Sequence, residues 1–134
     1  MLWDRLGRIL WVQWTHISLS VVWNVVGVLL IERGLRAPGP TASFFVAAFL
    51  LALALGMFWG ARRFVPLYLG ASWLAGLGAL WAIVQAFRLD PSLWPSASWR
   101  YAGVLLNVLG VLGATWGTLA WLRWRRFRPA KSPG

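Results

Sequence analysis

The chain contains no cysteine, only three acidic residues and a single histidine among its 134 residues. Without cysteine it can form no disulfide or thiolate metal site, and it can do no thiol chemistry. The three carboxylates, Asp4, Glu32 and Asp90, all lie at the ends of apolar stretches or between them. This placement argues against a two-carboxylate hydrolase, a metal-dependent transferase and a carboxylate proton relay through a membrane. We therefore expect no enzymatic activity of its own.

Charged residues make up 12% of the chain and hydrophobic residues 60%. The mean hydropathy is +0.66, whereas about a quarter of the residues of a soluble protein are charged. This composition predicts an integral membrane protein whose length is mostly used by spanning segments. The net charge of +10 comes from basic residues that lie between and beyond the apolar runs. Membrane topology explains such residues, so we expect no nucleic-acid partner.

Four apolar runs are each long enough to cross a bilayer. They cover residues 9–31, 41–60, 64–87 and 101–122, and a basic tail follows at 123–134. The sequence therefore predicts an all-α membrane protein with one domain of four transmembrane helices in an antiparallel up-down bundle.

Turn signals separate these runs. Pro38-Gly39-Pro40 forbids a continuous helix, and Thr41 is placed to cap the second span. Pro66 falls in the first turn of the third span, where its missing N–H costs little. Residues 1–8 are expected to form a short amphipathic lead, and residues 88–100 a loop on the membrane surface.

The distribution of Lys and Arg predicts the orientation of the spans, because basic residues favour the cytoplasmic side. The N-terminus, the second connection and the tail carry nine of them: Arg5, Arg8, Arg62, Arg63, Arg123, Arg125, Arg126, Arg128 and Lys131. The first and third connections carry four: Arg33, Arg36, Arg88 and Arg100. We therefore expect both termini in the cytoplasm and an integral location in the bacterial inner (cytoplasmic) membrane.

The first span carries a stripe of polar side chains. Gln13, His16, Ser20 and Asn24, together with Gly27, fall within an arc of roughly 80° on one helix face at about 100° per residue. Polar side chains inside hydrocarbon are tolerated when they face other protein or a wet cavity. The stripe is therefore predicted to point into the bundle.

The fourth span carries a seam of small residues around one amide. Its members step by four and three along the chain: Gly103, Asn107, Gly110, Ala114 and Gly117. Small side chains at this spacing let helices approach closely in a membrane. We predict that the polar stripe meets this seam, with an Asn24–Asn107 hydrogen bond and with His16 near the depth of Thr115 and Thr118.

His16 is the one group inside a span that titrates near neutral pH. It could carry protons, bind a substrate, or ligate a pigment or haem that a partner subunit also ligates. The more common situation for a lone intramembrane histidine is a neutral imidazole that is bonded to a neighbouring helix. We therefore expect no cofactor and no metal.

The basic tail suggests contact with anionic lipid. The candidate residues are Arg123, Arg125, Arg126, Arg128 and Lys131. Each Lys or Arg near an anionic surface contributes about 1 kcal/mol of binding. The same residues also favour the cytoplasmic side and so help to set the orientation of the spans, and the two roles are compatible.

Two functions of different classes fit the sequence. The first is a non-enzymatic accessory, assembly or stabilising subunit of a larger membrane complex, since the chain is short, lacks catalytic groups and is rich in helix-packing surface. The second is a homo-oligomeric small transporter or channel for a small solute or a lipid-linked headgroup, which would use the polar stripe. The expected partners are membrane lipids and either other membrane subunits or further copies of this chain.

Overall fold

The computed structural model describes residues 2–127, which form four α-helices and one short 3₁₀ turn at Pro91–Leu93. The helices are α1 (Leu2–Glu32), α2 (Phe44–Arg63), α3 (Val65–Arg88) and α4 (Ala97–Arg126). Each helix is long and apolar enough to span a membrane, which indicates an integral membrane protein. The prediction of an all-helical protein with four such segments is confirmed.

The first helix begins earlier than its apolar run. It starts at Leu2 and is kinked at Gly7, whose backbone angles are not helical (φ 7°, ψ −95°). Before the kink, Leu2 and Leu6 are buried in the core together with Met57 of α2 and Tyr68 of α3. The amphipathic lead therefore packs into one end of the bundle through its apolar side chains.

The end of α1 is a Schellman motif. Gly34 has a positive φ of 73°, and its N–H donates to the carbonyl of Ile31 at 2.9 Å while the Leu35 N–H donates to the carbonyl of Leu30 at 2.9 Å. Glycine adopts this left-handed conformation without a steric penalty. The motif stops the helix after Glu32.

The predicted cap of α2 at Thr41 is wrong, because Ser43 caps this helix. The Ser43 Oγ accepts hydrogen bonds from the N–H groups of Phe45 and Val46, at 3.1 and 3.5 Å. Residues 41 and 42 remain outside the helix, and Ala42 packs closely against Gly27 of α1. The helix therefore begins three residues later than the apolar run.

Helices α2 and α3 are joined by Phe64 alone. A Cβ at Gly60 would collide with the backbone of Leu67 and Tyr68, so this residue must be glycine for the two helices to meet at the turn. Pro66 lies in the first turn of α3, as predicted.

The four helices pack in a ring, in which α1 and α3 each contact both α2 and α4. Along α1 and α4 the contacts run in opposite order: Gln13 lies against Gly113, His16 against Gly110, and Trp23 against Gly103. The polar stripe and the small-residue seam therefore face each other. Helix α4 is longer than its apolar run and holds Arg123, Arg125 and Arg126 in its last turn, whereas Arg128 and Lys131 lie outside the described residues.

Candidate functional site

A buried hydrogen-bond network joins helices α1, α3 and α4 inside the bundle. The Gln13 Nε2 donates to the Ser72 Oγ at 2.7 Å and to the Gly113 carbonyl at 3.2 Å. The Tyr68 hydroxyl donates to the Gln13 Oε1 at 3.1 Å. We call Gln13, Tyr68, Ser72 and Gly113 the Gln13 network. It satisfies the polar atoms of Gln13 within the bundle, which a low-dielectric interior requires.

Glycines of α4 make room for this network. A Cβ at Gly113 would lie 2.8 Å from the Gln13 Cγ, and a Cβ at Gly117 would collide with the Tyr68 hydroxyl. The seam therefore admits long polar side chains from α1 and α3. It serves as a recess as well as a helix-packing surface.

One turn further along α1, His16 is buried, with 3% of its surface exposed. The His16 side chain has Asn107 of α4 as a hydrogen-bonding neighbour. Its Nε2 nevertheless finds no hydrogen-bond partner within residues 2–127, and neither does the Oγ of Ser20, which is 7% exposed. Buried polar atoms in proteins are almost always paired. Two such atoms one helical turn apart therefore mark a place where a further group could bind.

Both residues line a partly enclosed cavity of about 370 Å³ between the four helices. Its polar lining is His16, Ser20, Asn24, Thr41, Gln85 and Asn107, and its aromatic lining is Trp23, Phe49 and Trp81. Small-molecule sites in proteins have this character: largely apolar walls with a few placed polar groups. The volume falls within the range of roughly 300–1,000 Å³ that such sites occupy.

None of the described residues that line the cavity is Asp, Glu, Lys or Arg. A charged ligand would therefore meet no counter-charge in a low-dielectric site, which is costly. Hydroxyl, amide and imidazole groups can instead donate to and accept from an uncharged ligand. The cavity is suited to a neutral molecule that forms hydrogen bonds.

His16 supplies the cavity's one imidazole, the group that ligates a haem, pigment or metal most readily. Within residues 2–127, no group of three His, Asp or Glu side chains could hold a metal ion. The expectation that His16 ligates no cofactor, alone or together with a partner subunit, stays a prediction.

The predicted Asn24–Asn107 hydrogen bond is wrong. The Asn24 Nδ2 donates to the Ser20 carbonyl at 2.8 Å, and its Oδ1 accepts from the Ser43 N–H at 3.0 Å. The Asn107 Nδ2 donates to the Gly103 carbonyl of its own helix at 2.8 Å. Asn24 therefore links the start of α2 to α1. Asn24 and Asn107 both line the cavity but do not form a hydrogen bond with each other.

The predicted position of His16 along α4 is also wrong. The imidazole lies against Gly110, more than a turn away from Thr115 and Thr118. Thr118 instead accepts a hydrogen bond from the Trp73 indole of α3 at 2.9 Å.

Sequence reasoning missed the contribution of α3 to the site. Tyr68 and Ser72 are four residues apart and lie on the same face as Ala71 and Ala75, all of them buried. Two polar side chains one turn apart, next to alanines at the same spacing, were the available signal. Gln85 and Trp81, which line the cavity further along α3, carried no comparable pattern.

A second cluster holds the N-terminal part of α1 against α2. The Arg62 guanidinium carbon lies 4.2 Å from the ring centroid of Trp3 and 4.1 Å from that of Phe58. The two rings are themselves 5.3 Å apart and meet edge to face. Arg62 therefore makes cation–π contacts with both rings.

Comparisons of this chain with protein-family models, with curated proteins and with solved structures find no match.

Proposed function

We propose that the chain is an integral protein of the bacterial inner membrane, with an antiparallel up-down bundle and both termini in the cytoplasm. The opposite order of contacts along α1 and α4 supports the antiparallel arrangement. The excess of Lys and Arg at the N-terminus, at the α2–α3 connection and beyond residue 122 supports the orientation. In this topology the cavity lies in the outer half of the bundle, and the basic end of α4 meets the anionic cytoplasmic surface.

Within this bundle, the protein binds a small uncharged molecule or headgroup and serves as a small transporter. One observation carries this proposal: the unpartnered His16 Nε2 and Ser20 Oγ are buried at the wall of a cavity that holds no charged side chain among the described residues. The cavity forms within one chain, so binding does not require an oligomer. The three carboxylates of the chain do not line the cavity, so they offer no acid–base pair to a molecule bound there.

A second candidate is an accessory or stabilising subunit of a larger membrane complex. It is favoured by the outer surface of the bundle, since only 22–33% of the most apolar window of each helix is buried within the chain. The remaining apolar surface suits lipid, another membrane subunit or a further copy of this chain.

Native mass spectrometry of the protein in mild detergent tests both candidates. Ser20→Leu places an apolar side chain in the cavity, and Ser18→Leu makes the same change on the exposed face of α1. Ala82→Leu fills the cavity from α3 and serves if Ser20→Leu does not fold. We expect wild type and Ser18→Leu to carry a small uncharged adduct that the filling variants lose.

An adduct that survives in Ser20→Leu and Ala82→Leu would place its site elsewhere and overturn the proposal. A wild-type protein that carries no adduct but retains a second polypeptide in a fixed ratio would establish the accessory-subunit function instead.

A further inference from the structure

The outer end of the cavity is covered by the α1–α2 connection. A Cβ at Gly39 would lie 2.7 Å from the Trp23 Nε1, so this backbone is seated directly on the indole. Three residues later, Ala42 packs on α1 so closely that a Cβ at Gly27 would lie 2.5 Å from its methyl group. These contacts narrow any path from the aqueous side.

The opposite end of the cavity is closed by packed side chains. Leu53 of α2 and Ala75 of α3 line the cavity and are buried in the core. Beyond them lies the Gln13 network, whose hydrogen bonds join α1, α3 and α4.

The side of the cavity between α2 and α3 has a different character. Three of its lining residues are large, apolar and exposed: Phe49 at 44%, Leu74 at 53% and Trp81 at 59%. Between them, Gly78 lines the cavity, and a Cβ placed on it would meet no atom within 4 Å. Gly60 and Tyr68 hold the two helices together at their shared turn. The residues of α2 and α3 that line the cavity lie toward the opposite ends of both helices.

An opening on the side of the cavity between α2 and α3 faces hydrocarbon when the helices span a membrane. Its rim is apolar, whereas its inner wall is lined by His16 and Ser20, whose buried Nε2 and Oγ have no hydrogen-bond partner within residues 2–127. A molecule that fits both environments has an uncharged hydrogen-bonding head and an apolar tail. The head replaces hydrogen bonds that buried polar atoms would otherwise lack, and the tail stays in the lipid.

We propose that the cavity takes the uncharged head of a membrane-soluble lipid, such as the carbonyl-bearing ring of a long-chain quinone or the hydroxyl end of a neutral glyceride, through a lateral opening between α2 and α3. This inference rests on the proposed binding function and adds the ligand class and the route. The quinone and the glyceride share one chemistry, because each carries an uncharged carbonyl or hydroxyl oxygen on a long apolar chain. Because none of the lining residues within 2–127 is charged, a fatty acid carboxylate or a phospholipid head would meet no counter-charge there and is disfavoured as a ligand.

Photo-crosslinking in lipid vesicles tests the proposal. The probe is a long-chain alcohol that carries a diazirine near its hydroxyl, and the adducts are located on peptides by mass spectrometry. Gly78→Leu places an apolar side chain on the cavity lining at a position where a Cβ meets nothing within 4 Å. Gly70→Leu is its matched control, since a Cβ at Gly70 also meets nothing within 4 Å but Gly70 does not line the cavity. Labelling of α1 and α4 peptides at the cavity is expected to fall about tenfold or more in Gly78→Leu and to be unchanged in Gly70→Leu.

A second pair of variants tests whether a wider opening increases labelling of the cavity. Phe49→Ala widens the opening and should raise labelling, whereas Phe44→Ala, at an exposed position of the same helix that does not line the cavity, should not. Competition then identifies the source of the head: a long-chain quinone, a monoacylglycerol and a fatty acid of equal chain length are compared. One of the two uncharged lipids should displace the probe, and the fatty acid should not.

Equal cavity labelling in Gly78→Leu and wild type would overturn the lateral route and leave the binding function in place. Equal competition by the fatty acid would overturn the uncharged ligand class. A short water-soluble diazirine alcohol that labels the cavity equally in both proteins would place access at the aqueous end and also overturn the route. Absence of any cavity adduct in wild type would overturn the binding function together with this inference.

Discussion

Gly110 of α4 lies directly against the imidazole of His16 of α1. A methyl group at this glycine would come within 2.5 Å of the His16 Cε1 and 2.7 Å of its Nε2, and within 2.8 Å of the Ala79 methyl. Helices α1, α3 and α4 therefore meet at one point that has no space for a side chain. The position of the imidazole at the cavity wall depends on this close approach.

Gly110→Ala is expected to destabilise the folded protein by about 1–3 kcal/mol, the range for overpacked cores, because either His16 or Ala79 must move. Gly70→Ala is the matched control, since its added methyl group meets nothing within 4 Å. Thermal unfolding of both variants in the same detergent measures the difference. Equal stability of the two variants would show that α4 can shift away from α1 at little cost.

Tyr68→Phe is expected to destabilise the protein by about 0.6 kcal/mol and at most about 1.7, the measured range for interhelical hydrogen bonds in a membrane. The change leaves the Gln13 Oε1 without the Tyr68 donor. Tyr101→Phe is the control, because Tyr101 is exposed and bonds only to its neighbour Arg100 among the described residues. In a double-mutant cycle with Gln13→Leu, the Tyr68→Phe effect should disappear, and an undiminished effect would assign it to packing.

Arg62→Gln is expected to loosen the segment before the Gly7 kink by about 1–2 kcal/mol, since each cation–π contact with Trp3 and Phe58 contributes about 0.5–1 kcal/mol. Faster hydrogen exchange in residues 2–10 would report this change. Arg63→Gln, which makes no cation–π contact among residues 2–127, alters the charge equally and serves as the control. Identical exchange in the two variants would mean that the apolar contacts of Leu2 and Leu6 hold the segment alone.

Asp90 should respond to acid at the α3–α4 connection. Its carboxylate accepts a hydrogen bond from the Ser92 N–H at 2.9 Å, and bonding to Ser92 holds the Asp90 pKa below its ordinary value. A lowered pKa means that the ionised form stabilises the turn, so this contribution is complete at neutral pH and is lost as the pH falls through the folded-state pKa. The protection factor of the Ser92 amide, which corrects for the intrinsic pH dependence of exchange, should therefore be constant near neutrality and fall only in strong acid. Asp90→Asn should abolish this fall.

The sequence predicted the features that depend on hydrophobic length and on local backbone chemistry. Four apolar runs gave four helices, Pro66 lies in a first turn, and the stripe of α1 faces the seam of α4. These follow from the length of the hydrocarbon region, from the missing N–H of proline and from helical periodicity.

The features that depend on which side chain meets which could not be read from the sequence. Thr41 and Ser43 can both cap a helix in isolation, and the contact of Asn24 with the Ser43 N–H, which helps to place the start of α2, is not visible in the sequence. Residues 1–8 were predicted only as an amphipathic lead, and the burial of Leu2 and Leu6 was not predicted, because the kink at Gly7 leaves no pattern in the sequence. The hydrogen bond from Tyr68 to Gln13 depends on how α3 is oriented in the bundle, which the sequence does not show.

The connection between α2 and α3 consists of Phe64 alone, and this sets a constraint on residue number. Because one residue turns a helix by about 100°, a single insertion or deletion there would rotate Tyr68 and Ser72 away from Gln13. The length of this link is consequently as restricted as the identity of any side chain in the network, and homologous chains should differ here by substitution and never by a gap.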